Sequence, residues 1–340
     1  MFFARALSDE SIRLLPENEE PSLVVSALGR PVNYNEDLVN VKDAWKVSRG
    51  GGVKVVVLDT GVPRHRDISV AGWKSFVRGY DFDLAGHGTG VGSVIAGTGR
   101  SGAGITGIAP DCEDWYGVVM NEFGVGTIGA IADGIRWAVD EVGADIVNMS
   151  LGIPGKVGCD SRLVSACEYA YSRGVTLVAA AGNDAAEVNC PALLDTVIAV
   201  GAVDRKLRHA DFSSYGPEVE FAAGGVDVTI AYNGNGYATM SGTSFSAPVI
   251  SGIAALIVSK HRAAGEEMSP ESVREHLTRL SKDIGDEGRD DYTGYGIPVF
   301  FNRGNSKESR CPKCRNFLCR ALSWLSDAFF RLWSRHCAGE

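Results

Sequence analysis

Three reactive side chains of different types lie in short, distinctive stretches of the chain. Asp59 ends the run VVVLD, His87 lies between glycines in GHGTG, and Ser244 lies within SGTSFSAP. A serine hydroxyl is a weak nucleophile until a base takes its proton, and an imidazole serves as that base when a carboxylate orients it. Each residue alone also fits a structural role, as a turn aspartate, a helix-terminus histidine or a helix cap. Their combination predicts nucleophilic catalysis by Ser244.

Apolar segments that alternate with amphipathic ones would position these side chains. Near-continuous apolar runs predict strands buried on both faces of a parallel sheet. The runs cover residues 53–59, 144–151, 174–182 and 195–203. Apolar residues at helical spacing predict helices at 127–143 and 161–174. The alternation predicts an α/β fold, with a doubly wound, mostly parallel sheet and helices on both faces. The functional residues of such sheets usually lie at the carboxyl ends of the strands, where Asp59 is predicted to stand.

The three stretches together resemble the signatures of the subtilisin-like serine peptidases, the subtilases, over residues 38–300. The resemblance implies that Ser244 attacks a peptide carbonyl, that His87 is general base and then general acid, and that Asp59 orients His87. It also implies that Asn183, in AAAGND, and the backbone N–H of Ser244 stabilise the oxyanion. A serine endopeptidase that forms an acyl-enzyme is expected. The alternative is a catalytically silent scaffold that acts through its C-terminal tail.

The resemblance further implies that a peptide substrate binds as an added β-strand between two exposed backbone edges. Recognition of this kind favours extended or unfolded polypeptides. The expected contact residues are Gly124 and Gly126 for one edge, Ser150, Leu151 and Gly152 for the other, Ile128 and Ile131 for the apolar S4 pocket, and residues 180–182 with Gly152 and Asn189 for the S1 pocket.

Two positions beside the expected catalytic residues depart from the usual family pattern. Gly90 stands where a histidine is usual, which changes local packing and leaves the catalytic residues intact. Phe245 stands where a methionine or a smaller residue is usual, and its ring is predicted to crowd the leaving-group side of the site.

No cofactor is expected for this chemistry, and the calcium site common in the family is predicted to be absent. The loop at 98–107 contains no carboxylate or amide and includes Arg100, whereas calcium takes several oxygen ligands. Asp67 stands at a matching position but has no companion ligands in that loop.

Residues 1–37 are predicted to be a leader or a short propeptide-like segment before the peptidase domain at 38–303. The segment is too short for the folded prodomain of secreted subtilases, and SIRLLPENEEP resembles the short propeptide of intracellular subtilisins. By that resemblance Leu14, Leu15 and Pro16 would lie across the active site, with Pro16 resisting cleavage. A disordered leader is the alternative.

Residues 304–340 form a separate predicted region, a polar linker followed by a tail. Apolar residues at three- to four-residue spacing predict an amphipathic helix within 315–335, with arginines mostly on its other faces. Such a helix suits a membrane surface or a partner groove, or it folds back onto the enzyme. The tail also contains weak candidate zinc ligands, with redox pairing, lipidation or no role as alternatives. These candidates are Cys311, Cys314, Cys319 and Cys337.

Composition and charge narrow the classes of function. The chain has 340 residues, is 45% hydrophobic and carries a formal charge of −9, which fits a soluble globular enzyme and argues against a nucleic-acid binder. No signal peptide is evident, and no apolar run reaches the roughly 18–20 residues of a membrane span. The cysteines before residue 300 are scattered, which favours a reducing compartment. We therefore expect a cytoplasmic protein, with peripheral membrane attachment through the tail as an alternative.

Overall fold

The computed structural model describes residues 2–8, 11–16, 22–23, 31–79, 81–99 and 104–300, and for those before residue 31 it describes the backbone alone. The predicted amphipathic helix at 315–335 and the candidate zinc ligands Cys311, Cys314, Cys319 and Cys337 lie outside these residues. Those predictions therefore stay predictions.

A parallel sheet of seven strands is the largest sheet in the described chain. Its strand order is β11-β10-β9-β8-β4-β6-β5, and its edge strands are β11 and β5. Smaller sheets have the orders β1-β2-β7, β12-β13-β3 and β14-β15. The strands in chain order are β1 (Phe2–Ser8), β2 (Ser11–Pro16), β3 (Ser22–Leu23), β4 (Lys54–Asp59), β5 (Val70–Ser75), β6 (Glu113–Val118), β7 (Val125–Gly126), β8 (Ile146–Met149), β9 (Thr176–Ala180), β10 (Val197–Val203), β11 (Val219–Gly224), β12 (Val228–Tyr232), β13 (Gly236–Met240), β14 (Ser281–Lys282) and β15 (Ile297–Pro298).

The four apolar runs of the sequence become β4, β8, β9 and β10 in the middle of this sheet, which confirms their prediction. They are apolar throughout because both faces of the sheet are covered. In β4, Val56 and Leu58 join one apolar cluster, and the alternate residues Val55 and Val57 are equally buried. The predicted α/β fold with a parallel sheet is therefore confirmed.

Helices cover the sheet in two groups. Apolar residues of α4 and α5 pack with β4, β8 and β9 in one cluster, whereas α3 and α6 contact each other and α6 contacts β8 to β11. The helices in chain order are α1 (Asn35–Leu38), α2 (Val41–Ala44), α3 (His87–Ala96), α4 (Ile128–Trp137), α5 (Ser161–Ser172), α6 (Thr243–Ala263) and α7 (Pro270–Leu280).

The two helices predicted from apolar spacing begin at capping side chains. The Thr127 hydroxyl accepts the N–H of Ala130 at the start of α4, and the Asp160 carboxylate accepts the N–H of Arg162 at the start of α5. A π-helical turn at Ala138–Val142 continues α4 and ends at Gly143, whose φ of 64° is left-handed and suits glycine. Both predictions are confirmed.

The long helix α6 runs through the core and carries Ser244 in its first turn. By length and composition α6 would suffice to cross a bilayer, a possibility that the sequence analysis had dismissed for every part of the chain. However, 89% of its most apolar stretch is buried inside the protein. The apolar surface of α6 is thus accounted for by packing against the sheet and α3.

A disulfide joins Cys159 to Cys190, which are 31 residues apart. It links the segment after β8 to the segment after β9, where Ile153 and Cys190 also exchange backbone hydrogen bonds of 2.7 and 2.9 Å. A cross-link of this span stabilises a fold by about 4 kcal/mol, mainly by restricting the unfolded chain. Reading these two cysteines as scattered thiols was therefore wrong, since distance along the chain does not reveal the contact.

Candidate active site

Asp59 and His87 are in direct contact at the carboxyl end of β4. The Nδ1–H of His87 donates to Asp59 Oδ1 at 2.7 Å, and both side chains are buried, with 0% and 1% of their surface exposed. Asp59 ends the buried strand β4, and His87 opens α3 directly after Gly86, whose φ of 81° is left-handed. The carboxylate thus holds the imidazole in the tautomer that leaves Nε2 to accept a proton.

Ser244 lies in the first turn of α6 and is nearly buried. Its Oγ–H donates to the Ser150 carbonyl at 3.3 Å, at the carboxyl end of β8. The helix begins at Gly242 without a side-chain cap, so capping does not explain the serine. The next residue, Phe245, has its ring centroid 5.6 Å from that of His87, which places the start of α6 beside the imidazole.

A series of hydrogen-bonded polar side chains fixes the start of α6 against β8, and most of it was not predicted from the sequence. Ser251 donates to Asn148 Oδ1 at 2.9 Å, Asn148 Nδ2 donates to Ser150 Oγ at 2.9 Å, and Ser150 Oγ–H donates to the Ser244 carbonyl at 2.8 Å. All of these side chains are buried. The available signal was the presence of Asn148 and Ser150 towards the end of the mostly apolar run ADIVNMSL.

Asn183 follows β9 and lies beside the residue before the serine. Its Oδ1 accepts both the N–H and the Oγ1–H of Thr243, at 2.9 and 2.8 Å. Because the oxygen end of the amide is held in this way, its orientation is fixed and Nδ2 is the donor end. That nitrogen lies 3.3 Å from the place where a side chain at Gly242 would begin. Asn183 thus lies beside the residue that precedes Ser244, and its role as an oxyanion donor stays a prediction.

The expected substrate-binding edge at Gly124 and Gly126 is a real strand edge. Gly126 belongs to β7, and Gly124 precedes it with a left-handed φ of 66°. The chain's own strand β2 pairs antiparallel with β7, with Ile12 opposite Gly126 and Arg13 opposite Val125. This edge therefore pairs with an extended segment of the chain itself, and the binding of a substrate there stays a prediction.

The second expected edge, Ser150, Leu151 and Gly152, directly follows β8 and is buried. Asn189 is buried beside it. Its N–H donates to the Ala181 carbonyl at 2.8 Å, and its Oδ1 accepts the Gly155 N–H at 2.9 Å. Asn189 thus lies between the two segments that were expected to form the S1 pocket.

Ile128 and Ile131, the expected S4 residues, stand at the start of α4, directly after β7. Ile131 is fully buried and Ile128 is 8% exposed, and both belong to the apolar cluster shared by α4 and β4. They are core residues next to β7, so they pack behind the strand edge at Gly124 and Gly126.

Gly90 lies next to the Phe245 ring, so a side chain at position 90 would compete with that ring for space. A Cβ atom at residue 90 would overlap Ile230 Cδ1 and lie 3.3 Å from Phe245 Cε1. The Phe245 ring is 1% exposed, so it belongs to the core and not to an open wall on the leaving-group side. The ring therefore fills the volume beside α3 that a larger residue at position 90 would take.

The electrostatics of the site favour a charged imidazole. Burial lowers the pKa of His87, but the Asp59 charge, the Asp59 hydrogen bond and the nearby Asp83 carboxylate outweigh it, so the pKa of His87 is raised above its usual value. An imidazolium formed during a reaction at this place is thus stabilised by the protein.

The surroundings of Asp67 fit a hydrogen-bonded carboxylate better than a calcium ligand. Asp67 Oδ2 accepts the Ile105 N–H at 3.1 Å and the Tyr237 O–H at 2.5 Å, and the backbone of Gly104 packs against the carboxylate. These neighbours are donors or carbon atoms, whereas calcium takes several oxygen ligands. Within 31–79, 81–99 and 104–300, no group of three or more His, Cys, Asp or Glu side chains could hold a metal.

Known proteins are similar in sequence to this chain over most of its length. The model of the Subtilase family matches residues 50–296. Subtilisin DY of Bacillus licheniformis is 40% identical over 73% of this chain and 89% of its own length. A thermostable alkaline protease of Halalkalibacterium halodurans is 35% identical, over 80% of this chain and 74% of its own. Subtilisin Savinase of Lederbergia lenta is 38% identical, over 69% and 86%. This chain therefore belongs to the subtilase family and is a serine endopeptidase.

Proposed function

We propose that the chain hydrolyses extended or unfolded polypeptides through a triad of Asp59, His87 and Ser244. The observation that carries the proposal is the buried 2.7 Å bond between His87 Nδ1 and Asp59 Oδ1, beside the start of α6. Ser244 Oγ attacks the peptide carbonyl while His87 Nε2 takes its proton, and the imidazolium then protonates the leaving amine. Asn183 Nδ2 and the Ser244 N–H stabilise the oxyanion.

Labelling with a fluorophosphonate probe tests this function directly. The probe phosphonylates a serine only where a base activates the hydroxyl, so we expect mass spectrometry to locate one modified peptide, at Ser244. The control is Ser246→Ala, because Ser246 lies two residues away, is buried and donates to the Ala223 carbonyl. Labelling that survives Ser244→Ala would disprove the assignment.

The pH dependence of hydrolysis follows from the raised pKa of His87. Below that pKa the ring is an imidazolium and cannot take the Ser244 proton, so activity is absent at low pH and appears as the pH rises. Because the pKa lies above the ordinary value of about 6.5, the midpoint of the rise in kcat/KM is expected above pH 6.5. Initial rates at limiting peptide concentration between pH 5 and 9 measure it, and a midpoint below pH 6 would contradict the assignment.

The pairing of β2 with β7 supports a second proposal, that the N-terminal segment inhibits the enzyme. A peptide substrate adds to the same edge in the proposed binding mode, so β2 and a substrate compete for Val125 and Gly126. From the register, Leu14 and Leu15 follow Arg13 along the strand, and Pro16 ends it. A proline at a scissile bond lacks the N–H and restricts the backbone, which fits resistance to cleavage.

Deleting residues 1–20 is therefore expected to raise the initial rate of peptide hydrolysis. The synthetic peptide of residues 1–20, added to the truncated enzyme, should inhibit it competitively, and a scrambled peptide of equal composition is the matched control. An unchanged rate after deletion, in a protein that unfolds at the same temperature as the full chain, would refute the inhibition.

We also propose that the enzyme works without calcium at the position of Asp67. The donors around the Asp67 carboxylate supply the stabilisation that a cation would give. Incubation with an excess of EDTA is expected to leave both the hydrolysis rate and the unfolding temperature unchanged. A calcium-dependent subtilase, treated in parallel, shows that chelation was effective. A loss of activity that calcium restores would overturn the proposal.

Cytoplasmic localisation and the binding of the tail to a membrane or partner stay predictions from the sequence. The argument from scattered cysteines no longer supports the first, because Cys159 and Cys190 are bonded and disulfides persist mainly in oxidising compartments.

A further inference from the structure

A second buried carboxylate, Asp83, lies four residues before His87 in the loop that leads into α3. Its Oδ1 accepts the Oγ1–H of Thr60 and the N–H of Gly86, both at 2.8 Å. Its Oδ2 accepts the N–H and the Oγ1–H of Thr89, at 2.6 and 2.7 Å. One side chain therefore binds both the first turn of α3 and the residue after Asp59.

Thr60 connects this carboxylate to the rest of the site. Its N–H donates to Asp59 Oδ1 at 2.7 Å, and its Oγ1 accepts the N–H of Gly88 at 3.1 Å. The backbones of the two loops are also joined, because the Asp83 N–H donates to the Val62 carbonyl at 3.0 Å. The loop that carries Asp59 and the helix that carries His87 are thus held together through Asp83 and Thr60.

The bonding pattern fits an ionised Asp83. Each Asp83 oxygen accepts a backbone N–H, from Gly86 or from Thr89, and such a group can only donate, while the hydroxyls of Thr60 and Thr89 supply one further donor to each oxygen. Burial raises the pKa of Asp83, and the hydrogen bonds from Thr89 and Thr60 oppose that rise. The carboxylate lies close enough to His87 for its charge to favour the imidazolium.

We propose that Asp83 is a positioning residue for catalysis: it fixes the helix that carries His87 against the loop that carries Asp59, and its charge favours the imidazolium. The inference rests on the proposed roles of Asp59 and His87. A displacement of catalytic groups by about 1 Å costs about 10²-fold in rate, so hydrogen bonds that hold His87 and Asp59 in place affect kcat. Asp83 touches no reacting atom.

Other charged or titratable groups at this place are few in the described chain. Asp59 faces His87 from β4, and α6 presents the uncharged Ser244 and Phe245. Tyr232 from β12 and Tyr116 from β6 lie near Asp83. Burial is the main cause that raises the pKa of each hydroxyl, and neighbouring carboxylates, including Asp83, raise it further. Both tyrosines are therefore neutral where the enzyme would work, so among the described residues Asp59 and Asp83 are the charges that favour the imidazolium.

Two substitutions distinguish the positioning role of Asp83 from the effect of its negative charge. Asp83→Asn removes the negative charge, and its amide NH₂ group replaces one carboxylate oxygen. That NH₂ group then faces hydrogen-bond donors instead of accepting from them, so kcat is expected to fall about 10²-fold. KM should be unchanged, and the acid limb of the pH profile should move to lower pH, because the imidazolium has lost a nearby negative charge. Thr60→Val removes the hydroxyl bridge and keeps the charge, so kcat should fall while the acid limb stays in place. Thr60→Ser should restore kcat.

Asp114→Asn is a control for the loss of a buried carboxyl group; it is not matched in charge, because burial raises the pKa of Asp114 to about 8. Asp114 is another buried aspartate, on β6, and it accepts the hydroxyl of Tyr116 rather than any group of the site. We expect it to leave kcat and the acid limb unchanged. An equal fall in kcat in this control would overturn the proposal, since it would show a general effect of buried carboxylates.

The proposal fails if folded Asp83→Asn retains the kcat and the acid limb of the wild-type enzyme. Circular dichroism establishes folding, and probe titration of Ser244 gives the concentration of competent sites. If Asp83→Asn does not fold, equal kcat values for Thr60→Val and Thr60→Ser overturn the proposal instead. Failure of the proposed function is distinguishable, because the enzyme without residues 1–20, which cannot inhibit itself through β2, would then neither label at Ser244 nor hydrolyse peptides.

Discussion

Replacing Ser244 by alanine is expected to lower kcat by about 10⁶-fold while the protein stays folded. The residual rate comes from binding and from the oxyanion donors, which the substitution leaves in place. The structural cost is small, because Ser244 Oγ donates a single hydrogen bond, to the Ser150 carbonyl. One such bond contributes about 1 kcal/mol to the free energy of unfolding. Single-turnover hydrolysis of a peptide amide, with unfolding followed by circular dichroism, measures both quantities.

A double substitution makes this test sharper. If Ser244 and His87 act as one unit, His87→Ala should cost about as much as Ser244→Ala, and the double variant should lose no more than either. Additive losses in the double variant would mean that the two residues act independently, which the proposed proton transfer forbids. Ser246→Ala serves again as the neighbouring control and should keep the wild-type kcat.

Replacing Asn183 is expected to have the next largest effect. Asn183→Ala removes a donor aimed at the developing oxyanion, so kcat should fall about 10²- to 10³-fold with little change in KM. The loss falls on kcat because the donor acts on charge that exists only in the transition state. Steady-state kinetics with a peptide amide separates the two constants.

Asn183→Asp and Thr243→Val complete that experiment. The aspartate keeps the oxygen that Thr243 binds but exchanges the donor nitrogen for a negative charge, so its kcat should fall at least as far as that of Asn183→Ala. Thr243→Val leaves the amide in place and removes one of the two bonds that orient it, so a smaller loss is expected. An Asn183→Asp enzyme with wild-type kcat would exclude the oxyanion role.

The sequence was sufficient for the central strands and for the identity of the catalytic candidates. Strands β4, β8, β9 and β10 were predictable because a strand buried on both faces must be apolar throughout. Asp59 was recognisable because it ends such a strand, and Asn183 because it stands shortly after one. A strand buried on both faces is thus recognisable as a continuous apolar run, and the polar residues at the end of that run are easily identified.

Other parts were not predictable, because they depend on contacts between distant segments. Asp83 stands in a polar loop, DFDLAG, where nothing in the sequence indicates that four donors will converge on it. The half-buried edge strand β5 has no continuous apolar run. The bond between Cys159 and Cys190 requires the segments after β8 and β9 to be adjacent, which only the sheet order establishes.

The shared volume of Gly90 and Phe245 has a consequence for how this sequence can change. A larger residue at position 90 meets the Phe245 ring and Ile230, and a smaller residue at 245 alone leaves a void beside His87. Either single change therefore leaves this place poorly packed, and because Ile230 is the nearer neighbour of position 90, an exchange at 90 and 245 alone does not remove the overlap. Residues 90, 230 and 245 are thus coupled, and the effects of substitutions at these positions on the free energy of unfolding should not add.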